Sequence, residues 1–149
     1  MRATADRPIL VIEDNDDDIV LALRALREHD AGHEIALARD GVTASDFLFG
    51  TSEMDARPLP AVVLLDLKLP RVSGFEVLQR IRAHERTRYL PVVVLTSSLA
   101  EEDILSSYSL GANSYVRKPV DYEEFRRAIA SLGDYWLALN EVPNEEPVR

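Results

Sequence analysis

Four strand-like runs in this chain each lead straight into a polar residue capable of chemistry. Ile9-Leu10-Val11-Ile12 is followed by Glu13 and Asp14, and Ala61-Val62-Val63-Leu64-Leu65 by Asp66. Val92-Val93-Val94-Leu95 ends at Thr96, and Ser114-Tyr115-Val116-Arg117 at Lys118. Apolar runs without alternation mark strands buried on both faces, hence a parallel sheet covered by helices. Equivalent ends of parallel strands share one edge of the sheet, and ligands bind outside the carboxyl edge. Glu13, Asp14, Asp66, Thr96 and Lys118 are therefore expected to converge. Three carboxylates, a hydroxyl and an ammonium in one crevice suit a divalent cation and a phosphoryl group.

The segments between these runs alternate helix and strand, with no internal repeat. The pattern predicts β1 at Ile9–Glu13 and α1 at Asp16–Glu28, with Ile19, Leu23 and Leu26 on one face. His33–Ala38 reads as β2 and Val42–Phe49 as α2, and a polar connection over 51–60 precedes β3 at Ala61–Asp66. Ser73 begins α3, with Phe75, Leu78 and Ile81 facing the core, and the helix ends near His84. Pro91–Leu95 is β4, Glu101–Leu110 is α4 and Ser114–Arg117 is β5. The last helix, α5 at Tyr122–Asn140, carries Phe125, Ile129, Leu132, Trp136 and Leu139 on one stripe and runs longer than a crossover needs. The sum is an α/β, flavodoxin-like (βα)5 doubly wound sheet. Five parallel strands in the order 2-1-3-4-5, with helices on both faces, put β1 and β3 at the switch point and Asp14 beside Asp66. One domain is expected over residues 8–140, between a flexible N-terminal tail at 1–7 and a frayed C-terminal tail at 141–149.

Composition narrows the partners. The net charge of −9 argues against nucleic-acid binding by the chain itself, which rests on phosphate neutralisation by Lys and Arg. No apolar stretch approaches a bilayer span, and the absence of cysteine fits a cytoplasmic protein. No Gly-rich phosphate loop is present, which argues against nucleotide binding. Of the 17 basic residues only Lys68 and Lys118 are lysine, and both sit just past buried strands on the inferred active edge. Lysine offers a compact point charge where arginine offers a planar fork. His29, His33 and His84 fall outside the strand ends and read as surface residues. Arg80, Arg82, Arg86 and Arg88 read as a solvated face near the C-terminus of α3.

The acidic run from Glu13 to Asp18 straddles a strand end and a helix start. Asn15 or Asp16 suits the helix cap, and Asp16, Asp17 and Asp18 suit the positive end of the helix dipole. Capping does not account for Glu13 and Asp14, which precede the helix. Crowded carboxylates repel unless a cation sits among them, and oxygen-only ligation suits Mg²⁺. Asp66 is the candidate nucleophile: a carboxylate beside a metal can attack a phosphoryl donor and become an aspartyl phosphate. Lys118 would hold a phosphoryl oxygen, and Thr96 would donate its hydroxyl to another.

These blocks resemble the receiver domain of two-component response regulators. The resemblance is carried by Val11-Ile12-Glu13-Asp14-Asn15, by Leu64-Leu65-Asp66-Leu67-Lys68-Leu69-Pro70 with Ser73-Gly74, by Leu95-Thr96-Ser97, by Gly111-Ala112 and by Tyr115-Val116-Arg117-Lys118-Pro119. It extends from about Pro8 to Leu132, and Thr96 lies 30 residues after Asp66 and Lys118 22 after Thr96, as in the family. The resemblance implies that Asp66 is the phosphoacceptor, assisted by Thr96 and Lys118. Asp14 and Asp66 would bind Mg²⁺ with the backbone carbonyl of Lys68, and Glu13 through water. Thr96 and Tyr115 would form a switch pair, and Lys118 would precede a cis bond to Pro119. Glu13 stands where the family more often has aspartate, and the 51–60 connection is longer than in compact chemotaxis-type receivers.

The segments Leu99–Leu110 and Asp134–Pro143 are similar to single-domain regulators paired with phytochrome-type histidine kinases. With only a short tail after Leu139, output is expected from a changing surface, the α4-β5-α5 face, and the resemblance implies a homodimer through it. Tyr135 and Trp136 are candidate anchors there, although Trp136 also fits the core stripe. The rival enzyme is a magnesium-dependent phosphatase working through an aspartyl phosphate. It would place an acid two residues after the nucleophile, where this chain has Lys68, so no catalysis on other substrates is expected. Two non-enzymatic rivals are a phosphate sink serving a histidine phosphotransfer partner and a pseudo-receiver that binds partners unphosphorylated.

Overall fold

The computed structural model describes residues 7–29 and 32–143. Its strands are Ile9–Ile12 (β1), Ile35–Ala38 (β2), Val62–Leu65 (β3), Val92–Thr96 (β4) and Ser114–Arg117 (β5). All pair in parallel in the order β2-β1-β3-β4-β5, the order expected. Every residue of the three inner strands is buried, which is why they show no alternation. Edge strands β2 and β5 are only half covered.

The helices are α1 (Asp16–His29), α2 (Gly41–Phe49), α3 (Gly74–Ala83), α4 (Glu101–Ser109) and α5 (Tyr122–Gly133). One core layer packs Leu48, Val77, Leu78 and Ile81 against one face of the sheet. The other packs Ala22, Leu26, Phe125 and Ile129 against the opposite face. Helix starts follow their caps: Asp40, Ser73 and Asp121 each accept from a backbone N–H three residues on. Asn15 does the same for α1, accepting from Asp18 N at 3.0 Å.

Several features depart from the expectations. The last helix does not continue in α form to Asn140: Asp134–Leu139 is a π-helical segment. A π turn holds more residues than an α turn, so the stripe rotates. Leu137 is buried in place of Leu139, which is 71% exposed, while Leu132 and Trp136 remain partly buried against the core. In α1, Ala22 and Ala25 are buried with Ile19 and Leu26, and Leu23 is only half-buried. No cis peptide bond occurs among the described residues, so Lys118–Pro119 is trans, the isomer that X–Pro bonds ordinarily prefer.

The arginine face at the end of α3 is another. Arg82 donates to the carbonyls of Gly111 at 2.9 Å, Leu90 at 2.8 Å and Arg88 at 3.1 Å, and to Asn113 Oδ1 at 2.8 Å. Arg86 reaches Leu48 O at 2.8 Å and Arg57 O at 3.0 Å. These two are structural clamps, because carbonyls freed at element ends need donors. His29 and His84 are exposed, as expected, His29 with its Nε2 3.0 Å from Asp134 Oδ1 and His84 packed on Phe49 with ring centroids 4.7 Å apart. Arg7, expected in a flexible N-terminal tail, is buried and donates to Pro143 O at 2.8 Å. Residues 1–6 and 144–149 of the two expected tails lie outside the described residues.

Candidate functional site

The register of the central strands builds the site. Ile12 lies opposite Leu65, so the residues after them, Glu13 and Asp66, emerge side by side, with Asp66 N donating to Ile12 O at 3.0 Å. Thr96 pairs with Arg117 at the ends of β4 and β5, and Lys118 N donates to Thr96 O at 2.7 Å. Backbone hydrogen bonds thus bring residues distant in sequence to one carboxyl edge. Gly74 closes the loop after β3: a Cβ there would stand 2.3 Å from Asp66 O and 2.6 Å from Leu67 Cα. Only glycine lets α3 begin this close to the Asp66 backbone.

Carboxylate oxygens of Glu13, Asp14 and Asp66 lie within 4.8 Å of one another, Glu13 and Asp66 buried and Asp14 exposed. This oxygen-only set, open to solvent through Asp14, fits a Mg²⁺-type ion, which keeps several waters and takes few protein ligands. Asp14 N and Asn15 N both donate to Glu13 Oε2 at 3.1 Å, and Lys68 N donates to Asp66 Oδ1 at 3.3 Å. The Lys68 side chain is exposed. Thr96 is fully buried, and its Oγ1 accepts from Ser98 N at 3.5 Å. Tyr115 is half-buried against the core, its hydroxyl donating to Ser98 O at 2.9 Å.

The Lys118 ammonium has an acceptor for each of its three protons: Glu13 Oε1 at 2.5 Å, Asp18 Oδ2 at 2.8 Å and Asp66 Oδ2 at 3.1 Å. Beneath it lies a small cavity floored by Val11, Ala22, Leu64, Leu95 and Phe125. Burial pushes the Glu13 carboxyl up to about 7; the negative charge of Asp66 adds to this, and Lys118 only partly offsets it. Burial works against the Lys118 charge too. Its hydrogen bonds to Asp18 and Glu13 and the field of Asp66 outweigh that effect and hold its pKa above the ordinary lysine value. The two shifts differ in cause: burial dominates at Glu13, while the surrounding carboxylates dominate at Lys118.

All five residues expected at the edge are gathered there, with Tyr115 on β5, three residues before Lys118. Asp18 joins them, although its place in the sequence suggests only a helix-start acid. A signal for it was present, for Asp18 precedes buried Ala22 by four residues and so extends the apolar stripe of α1 toward the sheet.

The response regulator receiver domain model matches residues 9–130. This chain belongs to that family. Among curated relatives, the probable methanogenesis regulatory protein FilR2 of Methanothrix harundinacea is 42% identical over 135 residues, covering 91% of this receiver and 86% of the relative. The crystal structure of the phosphorylated cyanobacterial phytochrome response regulator RcpA superimposes with a TM-score of 0.88 at 34% identity, covering 94% of this receiver and 100% of that chain. The bacteriophytochrome response regulator AtBRR is 49% identical with a TM-score of 0.71, covering 91% and 99% respectively. The receiver therefore resembles phytochrome-associated regulators over nearly their whole length. Receivers are typically signalling modules without catalysis of their own, and no helix among the described residues is long and apolar enough to cross a membrane.

Proposed function

We propose that this protein is a response regulator, located in the cytoplasm, that takes a phosphoryl group from a histidine kinase onto Asp66 with Mg²⁺ bound. The observation that carries this reading is the meeting of Glu13, Asp14 and Asp66 with the Lys118 ammonium on one strand edge. A free Asp66 carboxylate oxygen attacks phosphorus as the phosphorus–nitrogen bond of a phosphohistidine breaks, and the leaving imidazole keeps the electron pair and takes up a proton. Asp14, Asp66 and the Lys68 carbonyl would hold the metal, with Glu13 acting through water, and the ion would neutralise charge on the transferring group. Lys118, 3.1 Å from Asp66 Oδ2, would donate to a phosphoryl oxygen.

Thr96 and Tyr115 form the switch. Thr96 turns its hydroxyl toward the phosphoryl group and gives up its bond from Ser98 N, and Tyr115 exchanges its Ser98 contact for the space released. Ser98 begins the stretch leading to α4, so the change reaches the α4-β5-α5 face. Leu99, Leu105, Tyr108 and Val120 are exposed on and beside that face, Val120 at 94%. Such a patch supports a homodimer there. The similarity to RcpA and AtBRR supports a phytochrome-type kinase as the phosphoryl source.

The test is intact mass after incubation with a small acyl-phosphate donor, with and without Mg²⁺. One phosphoryl group is expected on the wild type only with Mg²⁺, and none on Asp66→Asn. An adduct that persists in Asp66→Asn, or no adduct on the wild type, would rule the reading out.

A further inference from the structure

Three carboxylates share the Lys118 ammonium, and they are not equivalent. Glu13 and Asp66 belong to the acidic triad that fits the metal; Asp18 does not. Asp66 would be drawn toward a cation in the triad directly and Glu13 through water, and the hold of both on Nζ would weaken. Asp18, on the first turn of α1 and outside the triad, keeps its full hold at 2.8 Å. It sits on a rigid helix whose start is fixed by Asn15, and its side chain is two-thirds buried beside the lysine. The nearby helix-start acid Asp16 pairs instead with exposed Arg39, so of these two acids on the first turn of α1 it is Asp18 that meets Lys118.

From this geometry we infer that Asp18 is a positioning residue for phosphorylation, holding the Lys118 ammonium over Asp66 while the metal engages the other two carboxylates. Lysine carries its charge on a flexible four-carbon stem, so an ammonium with no second anchor spreads over several rotamers. With Asp18 as anchor, Nζ already lies 3.1 Å from Asp66 Oδ2, where phosphoryl oxygens arrive. The inference rests on Asp66 being the phosphoacceptor. It adds a residue whose role is to keep a neighbouring group in register, and it makes the charge of Asp18 secondary to its acceptor oxygen.

The experiment is the rate of phosphorylation by the acyl-phosphate donor at saturating Mg²⁺, followed by intact mass. The proteins compared are wild type, Asp18→Ala, Asp18→Asn, Lys118→Ala and the double variant Asp18→Ala with Lys118→Ala. Asp18→Ala is expected to slow phosphorylation about tenfold, the scale of losing a positioning contact. Asp18→Asn, which keeps an acceptor oxygen, should recover most of the rate. In the Lys118→Ala background, Asp18→Ala should add no further loss, which a general structural role would not produce. An Asp18→Ala rate equal to or above that of the wild type would overturn the inference, as would an equal further loss without Lys118. An unphosphorylated wild type would instead overturn the phosphoacceptor reading, and the inference with it.

Discussion

At Glu13 the site carries its charge imbalance in a measurable form. Its carboxyl is pushed up to about 7 by burial and by Asp66, so the metal-free protein holds a proton there about half the time near neutrality and mostly below it. A divalent cation binding the triad must displace that proton, so Mg²⁺ affinity should fall as pH drops below the Glu13 pKa. Calorimetry in buffers of different ionisation enthalpy should register proton release that is largest at about pH 6 and nearly absent at about pH 8.5. Glu13→Gln should remove most of this release. Arg82 offers a second residue-scale prediction. Its fork joins the ends of α3, α4 and β4 through four hydrogen bonds. Arg82→Ala should therefore lower stability by about 1–3 kcal/mol in urea unfolding, since the part-buried carbonyls of Gly111 and Leu90 lose their donor. Arg82→Lys should recover little of it, because an ammonium cannot reproduce the planar fork.

Between elements, glycines decide what can approach what. Gly74→Ala would drive a Cβ against Asp66 O and Leu67 Cα, both backbone atoms that cannot rotate away. The loop between β3 and α3 must then shift, at a cost of about 1–3 kcal/mol in thermal or urea unfolding. The same shift moves Asp66 and Lys68, so the acyl-phosphate reaction should slow more than the stability loss alone implies. Gly111 serves the turn from α4 into β5 with φ of +102°, packed on the Arg82 side chain. The π-helical segment after α5 has a comparable effect on packing. By rotating the stripe it buries Leu137 and leaves Tyr135 and Leu139 exposed, and Trp136 remains a core residue at half depth.

For the whole molecule, the exposed apolar residues around α4 and β5 set the prediction. Phosphorylated wild type should show a larger mass by light scattering than the unphosphorylated protein, or a tighter dimer at equal concentration. Leu105→Arg, at a position 65% exposed, should leave phosphorylation intact and shift the assembly toward monomer. A mass unchanged by both phosphorylation and Leu105→Arg would exclude a homodimer through this face.

Much of this receiver was legible in the chain itself. Runs buried on both faces need no polar alternation, so Ile9–Ile12, Val62–Leu65 and Val92–Thr96 announced themselves as inner parallel strands. Because parallel strands share an edge, the residues after them were bound to meet, and the triad with Lys118 and Thr96 followed from periodicity and topology alone. Strand ends, helix ends and the fate of individual long side chains were not legible in this way. Asp18 and Asp16 are alike as helix-start acids; the spacing to Ala22 turns Asp18 toward the sheet, but only packing decided that it meets Lys118 and that Asp16 meets Arg39. Arg82 and Arg80 are alike in composition, and only the open carbonyls of Leu90 and Gly111 made one a clamp. Local sequence determines which surfaces must be buried, because burial is a property of each residue's own chemistry. Which partner a charged side chain finds depends on distances between elements, and those exist only once the chain is folded.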